Sequence, residues 1–280
     1  ECNHPLHKLG YKHNVKLFQS SHVTDESGSG FVHIAPNHGL EDFEVGKKNN
    51  LGNESTVNEK GIYEDSIPIF AGLHIFKADE KVIEELQKSK NLISNNEYKH
   101  SYPHSWRSKA PLIYRATSQW FISMDNKNLR KKALKEIDAV EWIPSNSKNR
   151  IFSMIKDRPD WCVSRQRSWG VPITIFVSKK QKKPIIDSDV NKKIISLLQE
   201  NGVDFWFEGS GESFLPKKYN SSDYEKVTSI LDVWFDSGSS HVYVFKNKGV
   251  KGKVDLYLEG SDQHRGWFHS SLLESCGTRG

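Results

Sequence analysis

Three stretches of this chain crowd ionisable and hydrogen-bonding side chains beside glycine. In GSGFVHIAPNHGLEDFEVG (28–46), His33, His38, Glu41 and Asp42 surround a Pro-Asn-His-Gly turn. A carboxylate in such a loop can hold an ammonium group and a histidine can orient water, while the same residues also make an ordinary polar turn with a capping Asp. In YLEGSDQHRGWF, residues Glu259, Ser261, Asp262, Gln263 and His264 fill a turn where a strand would hand over to a helix. LDVWFDSGSSH (231–241) sets Trp234 between Asp232 and Asp236, where it could wall an apolar pocket or fill the core. A fourth stretch, RIFSMIKDRPDWCVSRQRSWG (150–170), interleaves arginine with tryptophan. That pattern holds phosphates and stacks on bases, and it also packs plain domain surfaces.

Other combinations carry less chemistry. Cys2, His4, His7 and His13 fit no common zinc spacing. GSG at 28–30 and GSGES at 209–213 lack the spacing of a phosphate-cradling loop and read as turns.

Elements must position these groups. FVHIA (31–35), PLIYRAT (111–117), QWFIS (119–123), VPITIFV (171–177) and DLYLEG (255–260) read as strands, being rich in β-branched and aromatic residues. Helices are predicted over 77–92 with Asp79 as N-cap, after Ser123 with Leu129, Ala133, Leu134 and Ile137 on one face, and over about 190–199 between Asp187 or Ser188 and Gly202. The last helix is predicted to present Trp267, Phe268, Ser271 and Leu272. Strand, glycine turn and helix in that order make the unit of a parallel α/β sheet, whose ligands sit beyond the carboxyl ends of the strands. The basic, Pro-containing turn at 179–184 and the helix after it read as an inserted module.

Composition sets the outer bounds. The chain has 280 residues, 36% hydrophobic, 27% charged and 11% aromatic, which excludes a disordered chain and gives about two domains' worth of length. No run approaches the roughly 20 apolar residues of a membrane span, and ECNHPLHKLG at the start lacks the apolar region of a signal peptide, so a cytoplasmic protein is expected. Cys2, Cys162 and Cys276 lie too far apart in sequence for a disulfide framework or a CxxC metal site. The net charge of +5 suits a polyanionic partner without identifying one. Opening on Glu1 and closing on SCGTRG after an apolar helical run, the chain reads as an internal fragment.

GSGFVHIAPNHGLEDF, HSYPHSWR, RATSQWF, RPDWCVSRQRSWGVP, LDVWFDSGS and YLEGSDQHRGWF, in this order, closely resemble the middle of bacterial-type isoleucyl-tRNA synthetases, a family of class I aminoacyl-tRNA synthetases. The resemblance covers nearly the whole chain and is weaker at 44–95 and 178–228. It implies an α/β fold: the second half of a Rossmann-type catalytic core, interrupted by the C-terminal part of a β-rich editing domain. On that map residues 1–95 belong to the editing domain, 96–177 return into the core, 178–228 form a smaller insertion, and 229–280 belong to the second half of the core.

What the resemblance implies for chemistry is activation of isoleucine with ATP, transfer to tRNA(Ile) and hydrolysis of wrongly attached valine. Its partners would be tRNA(Ile), isoleucine and ATP, with Mg2+ implied, no membrane, and a monomer when full length. Asp42 would hold the amino group of the misacylated residue, with His33 lining the same pocket. Glu259, Gly260, Asp262 and Gln263 would contact the aminoacyl-adenylate, and Trp234 and Trp267 would wall the isoleucine side-chain pocket. No metal ligand is assigned. Two positions depart from the family pattern: Asn37 stands where glycine is common, and Ser105 where cysteine is common. The phosphate-binding HIGH-like and KMSKS motifs are absent from these residues, so the chain alone is expected not to activate isoleucine. A stand-alone editing or tRNA-binding protein is the alternative, and a basic nucleic-acid-binding domain without chemistry is the third reading.

Overall fold

Leu129, Ala133 and Ile137 recur every four residues, and in the computed structural model they form the buried face of a helix, Leu129–Ala139. The structure describes residues 1–26, 29–52, 54–250 and 252–279. It divides into two units, Glu1–Ser118 and Gln119–Gly280.

The first unit is mostly turns. Strands β1 (Cys2–Asn3) and β2 (Asn14–Val15) pair antiparallel. Helix α1 (Leu40–Lys48) starts directly after the Pro-Asn-His-Gly turn, and α2 (Asp79–Lys88) follows a 3-10 turn at Ile75–Lys77. Asp79 is the first residue of α2 and not its cap, because the 3-10 turn already delivers Ala78 in helical geometry. The strand expected at FVHIA does not form. Phe31 and Val32 are exposed, and no segment among the described residues lies beside them to complete a ladder. PLIYRAT likewise gives a single bridge, His104 with Pro111. Of the GSG turn at 28–30, Gly28 lies outside the described residues, and Gly30 has φ 72°.

The second unit builds two separate cores. Around the first pack α3 (Leu129–Ala139), α4 (Ser147–Lys156), β3 (Phe121–Ile122) with β4 (Trp161–Cys162), and β5 (Ser164–Arg165) with β8 (Ile230–Leu231). Met124, Ile137, Ile151, Ile155 and Trp161 are buried there together with Leu273 and Cys276 of the last helix. Ser123 accepts from Asn126 N at 3.2 Å, so it caps the 3-10 turn that leads into α3 rather than α3 itself.

The second core closes between β6 (Phe176–Ser178) and β7 (Tyr224–Lys226), paired antiparallel, and the helices α5 (Ser188–Asn201), α6 (Phe205–Glu208) and α7 (Gly211–Phe214). VPITIFV is thus a strand only at its end. Asp187 caps α5 by accepting from Asp189 N at 2.8 Å, and Gly202 stops it with φ 82°. Lys218 and the Tyr219 hydroxyl also bind Asp187, at 2.7 Å each, which holds its carboxyl well below the usual range. Trp206, wholly buried, packs against Phe176 and Phe214 with ring centroids 5.2 and 4.9 Å away. Its indole N–H donates to Val227 O at 2.8 Å, so the largest side chain of this core leaves no polar atom unpaired.

The chain ends in α8 (Val233–Gly238), α9 (Ser240–Asn247), a 3-10 turn at Ser261–His264 and α10 (Trp267–Arg279). DLYLEG is not a strand: Leu256 and Leu258 are 73% and 77% exposed, with no pairing strand beside them among the described residues. Every strand pair described is antiparallel. No helix among the described residues is long and apolar enough to cross a membrane.

Truncating Trp206 to alanine removes a fully buried indole from a small core and is expected to cost about 3–5 kcal/mol in urea unfolding. A loss below about 1 kcal/mol would mean that this core does not close as described.

Candidate functional site

In the first unit Asp42 sits in the first turn of α1, where a carboxylate favours the helix N-terminus. Its Oδ2 accepts from Ala35 N at 2.9 Å and its Oδ1 lies 4.0 Å from His22 Nε2. One oxygen is therefore committed to fixing the loop, while the other faces the His22 imidazole. His38 does not serve as a water-orienting base. Its Nδ1 lies 2.8 Å from Tyr114 O, which can only accept, so Nδ1 holds the proton and Nε2 accepts from Thr56 Oγ1 at 2.8 Å. Glu41 is exposed.

His33 has no bond to Asp42. It belongs electrostatically to His4, whose pKa is lowered first by burial and then by His13, His33 and His7. The Asn37 carbonyl accepts from Ala116 N at 2.7 Å, its side-chain amide donates to Glu54 O, and its φ is not positive. A glycine is therefore not required at this position by backbone geometry. Among the described residues no three of His, Cys, Asp and Glu gather closely enough to hold a metal ion.

In the second unit Asp232 places the other candidates. It is buried, accepts from Trp234 N at 3.3 Å to cap α8, and accepts from Arg165 Nη2 at 2.8 Å and Trp161 Nε1 at 3.4 Å. The turn at Ser261–His264 then aims α10. Gln263 Oε1 accepts from Trp267 N at 2.9 Å, and Gln263 Nε2 donates to Asp262 Oδ2 at 3.0 Å. Trp267 is locked: its indole N–H is shared between Ser240 Oγ at 2.9 Å and Ser237 O at 3.0 Å, and its ring stacks on Tyr257 at 4.0 Å.

Glu259, Gln263 and Trp267 line one hollow of about 380 Å³ with Ser237, Ser240 and Tyr243. Trp234 lines a different one of about 160 Å³, with Arg158, Arg165 and Arg265. The two tryptophans thus face separate hollows, with Trp234 pressed so closely on Gly266 that a Cβ there would lie 2.7 Å from its ring. Asp262 and Gly260 shape the turn and are not on either wall; a Cβ at Gly260 would meet Asp262 Oδ1 at 2.7 Å. Ser240 and Tyr257 were given no role by the sequence reading, although both lie within the stretches that were singled out. Their role depends on where a distant indole comes to rest, which no local pattern encodes.

Of the residues α10 was expected to present, Ser271 is buried and Phe268 and Leu272 are half-buried against the first core, and the helix also buries His269, Ser270, Leu273, Glu274 and Cys276. The reason is the approach of α8 at Gly238, where a Cβ would sit 2.1 Å from Glu274 Oε1 and 2.9 Å from Ser270 Cβ. Burial, and then the Asp236 carboxylate, push the Glu274 pKa up to about 8. Burial, and then Arg158, push His269 down to about 4. Both side chains are consequently uncharged near neutrality.

An amphipathic hollow that joins a fixed indole to a carboxylate and an amide suits a small ligand with an apolar side chain and an ammonium group. The family described as tRNA synthetases class I (I, L, M and V) matches residues 15–280, and the chain belongs to it. Within that family it is similar to the isoleucine–tRNA ligase of Pelagibacter ubique (strain HTCC1062), at 52% identity over 280 residues, covering 100% of this chain and 31% of that protein. The isoleucine–tRNA ligases of Gluconobacter oxydans (strain 621H) and Idiomarina loihiensis are 45% and 47% identical, over 100% and 98% of this chain and 30% and 28% of their own. The chain spans about a third of the length of the curated relatives it matches.

An unfolded glutamate loses its proton near 4.5, so between that pH and about 8 the native state holds a proton that the unfolded state does not. Stability from this group is therefore full below pH 4.5 and falls as the pH rises toward 8. Replacing Glu274 by Gln is expected to raise the urea midpoint at about pH 8 and leave it unchanged at about pH 4. An equal effect at both values would show that Glu274 is not neutral in the native state.

Proposed function

We propose that this chain is part of an isoleucine–tRNA ligase, which activates isoleucine with ATP, transfers it to tRNA(Ile) and hydrolyses misattached valine. The observation that supports it best is the hollow lined by Trp267, Glu259 and Gln263, in a chain whose relatives bear that name at 45–52% identity. In this reading residues 1–95 belong to a β-rich editing domain, 96–177 to the return into a Rossmann-type core, 178–228 to an insertion, and 229–280 to the second half of that core.

Adenylate formation is in-line attack of the isoleucine carboxylate on the α-phosphate of ATP, and protein groups accelerate it mainly by positioning. Glu259 receives the ammonium group. Gln263, tied both to Asp262 and to the first peptide of α10, fixes the adenylate relative to Trp267. The indole, which cannot swing while Ser240 and Tyr257 hold it, walls the side chain. Trp234, in its separate hollow, supports that wall only through Gly266, on which its ring presses, while Asp262 and Gly260 keep the turn in register. Mg2+ would enter with the ATP phosphates, since it usually keeps waters and phosphate oxygens and few protein ligands.

Such a pocket separates isoleucine from valine by only about 1–3 kcal/mol, the pair being the standard example of this limit, so a hydrolytic second site is needed. Asp42 supplies it by gripping the ammonium group of valine on tRNA with the oxygen not used by Ala35. His33 lines that pocket without touching Asp42.

Two measurements on the full-length protein test this. Isoleucine-dependent ATP–pyrophosphate exchange should fall about 100-fold or more for Trp267→Ala and for Gln263→Ala; rates within threefold of wild type would rule out the hollow as the amino-acid site. Separately, Asp42→Ala should release valine from valyl-tRNA(Ile) at least about tenfold more slowly while exchange is unchanged. Equal rates of release would place editing elsewhere.

A further inference from the structure

Residues 98, 100, 102, 104 and 106 are Tyr, His, Tyr, His and Trp, an alternation that puts all five rings on one side of an extended chain. In the structure all five are exposed; the first four run ring to ring, and Trp106 follows in a turn. The Tyr98 and His100 rings are 5.9 Å apart and nearly parallel, at 15°; His100 to Tyr102 and Tyr102 to His104 are each 6.0 Å, edge to face. Phe76 adds a side branch 6.2 Å from Tyr102, and the Arg107 guanidinium lies 4.8 Å from the centre of the Trp106 ring.

None of this serves the core. Tyr98 is 84% exposed and Trp106 76%, so the usual gain from burying aromatic area is forgone. A contiguous exposed aromatic surface marks an interaction site. From this surface and its charge we propose that the row of rings at 98–106 is a platform for single-stranded RNA.

Charge decides the occupant. Between residues 96 and 109 the cations Lys99, Arg107 and Lys109 neighbour the rings along the chain and are opposed there only by Glu97, and Arg107 lies against the Trp106 ring. A second copy of the chain would set these cations against their own kind. The row carries hydroxyls, imidazoles and indole, but no aliphatic side chain that an apolar protein partner would need. Planar faces among cations are what unpaired bases on a phosphate backbone require. The choice of RNA over DNA rests on the proposed function; the platform itself rests on the rings and the charges.

The test measures fluorescence anisotropy of a labelled single-stranded oligoribonucleotide with the 280-residue chain. Combined Tyr98→Ala, Tyr102→Ala and Trp106→Ala should weaken binding about tenfold or more, whereas phenylalanine at the three positions should keep it within about threefold. Combined Lys99→Gln, Arg107→Gln and Lys109→Gln should make the log–log salt dependence shallower by about 2. The proposal is overturned if the alanine variant binds like wild type, if leucine substitutes as well as phenylalanine, or if a duplex of equal length binds as tightly as the single strand. Unchanged RNA binding by the alanine variant, together with loss of exchange in Trp267→Ala of the full-length protein, would remove the platform and leave the proposed function standing.

Discussion

One buried carboxylate organises the second unit. Asp232 takes a guanidinium hydrogen bond from Arg165 on β5, one from the Trp161 indole on β4, and one from the first turn of α8. Its own amide donates to Val163 O at 2.7 Å, the residue that joins β4 to β5, so backbone and side chain are tied to the same stretch of chain. A charge withdrawn from water persists only where it is matched this fully. Asp232 caps α8, and α8 packs on α10 through Gly238, so this one residue helps to set the helix that carries Trp267 and, through Gln263 Oε1, the turn before it. The Arg165 partner comes from the arginine- and tryptophan-rich stretch, so part of what reads as a nucleic-acid pattern there is structural.

Much of the helical structure was legible in sequence. Helix α5 declares itself by Asp187 before it and Gly202 after it, and α3 by its four-residue spacing, because these signals act within the helix itself. Strands were harder to read. FVHIA, PLIYRAT and DLYLEG have strand composition, yet a strand exists only with a partner, and among the described residues PLIYRAT finds a single bridge and the other two find no pairing strand. At the candidate site the motif residues were visible from types and spacing. The arrangement of Trp234 and Trp267 in separate hollows was not, since it depends on Gly266 admitting the Trp234 ring against it.

The inner face of α10 shows the same limit from another side. Sequence periodicity selects apolar residues for burial, and α10 buries histidine, serines and glutamate beside Leu273 and Cys276. What permits this is neutrality: Glu274 keeps its proton and His269 does without one, so the helix interface contains polar side chains but little charge. A glutamate in a close-packed helix contact is uninformative to a pattern reader until its neighbour, Gly238, is known to leave it no water.

The two cores of the second unit also differ in how far along the chain their members lie. Phe176, Val190, Ile194, Trp206, Phe214 and Leu215 are all supplied within one contiguous stretch, closed by Tyr224–Lys226. The other core joins Met124 and Leu129 to Leu273 and Cys276, at nearly opposite ends of the unit. Contacts between near neighbours form early and distant ones late. As the polypeptide leaves the ribosome, the segment from Phe176 to Lys226 is therefore complete while the surrounding core still waits for α10, and it emerges as a finished bead on an unfinished thread.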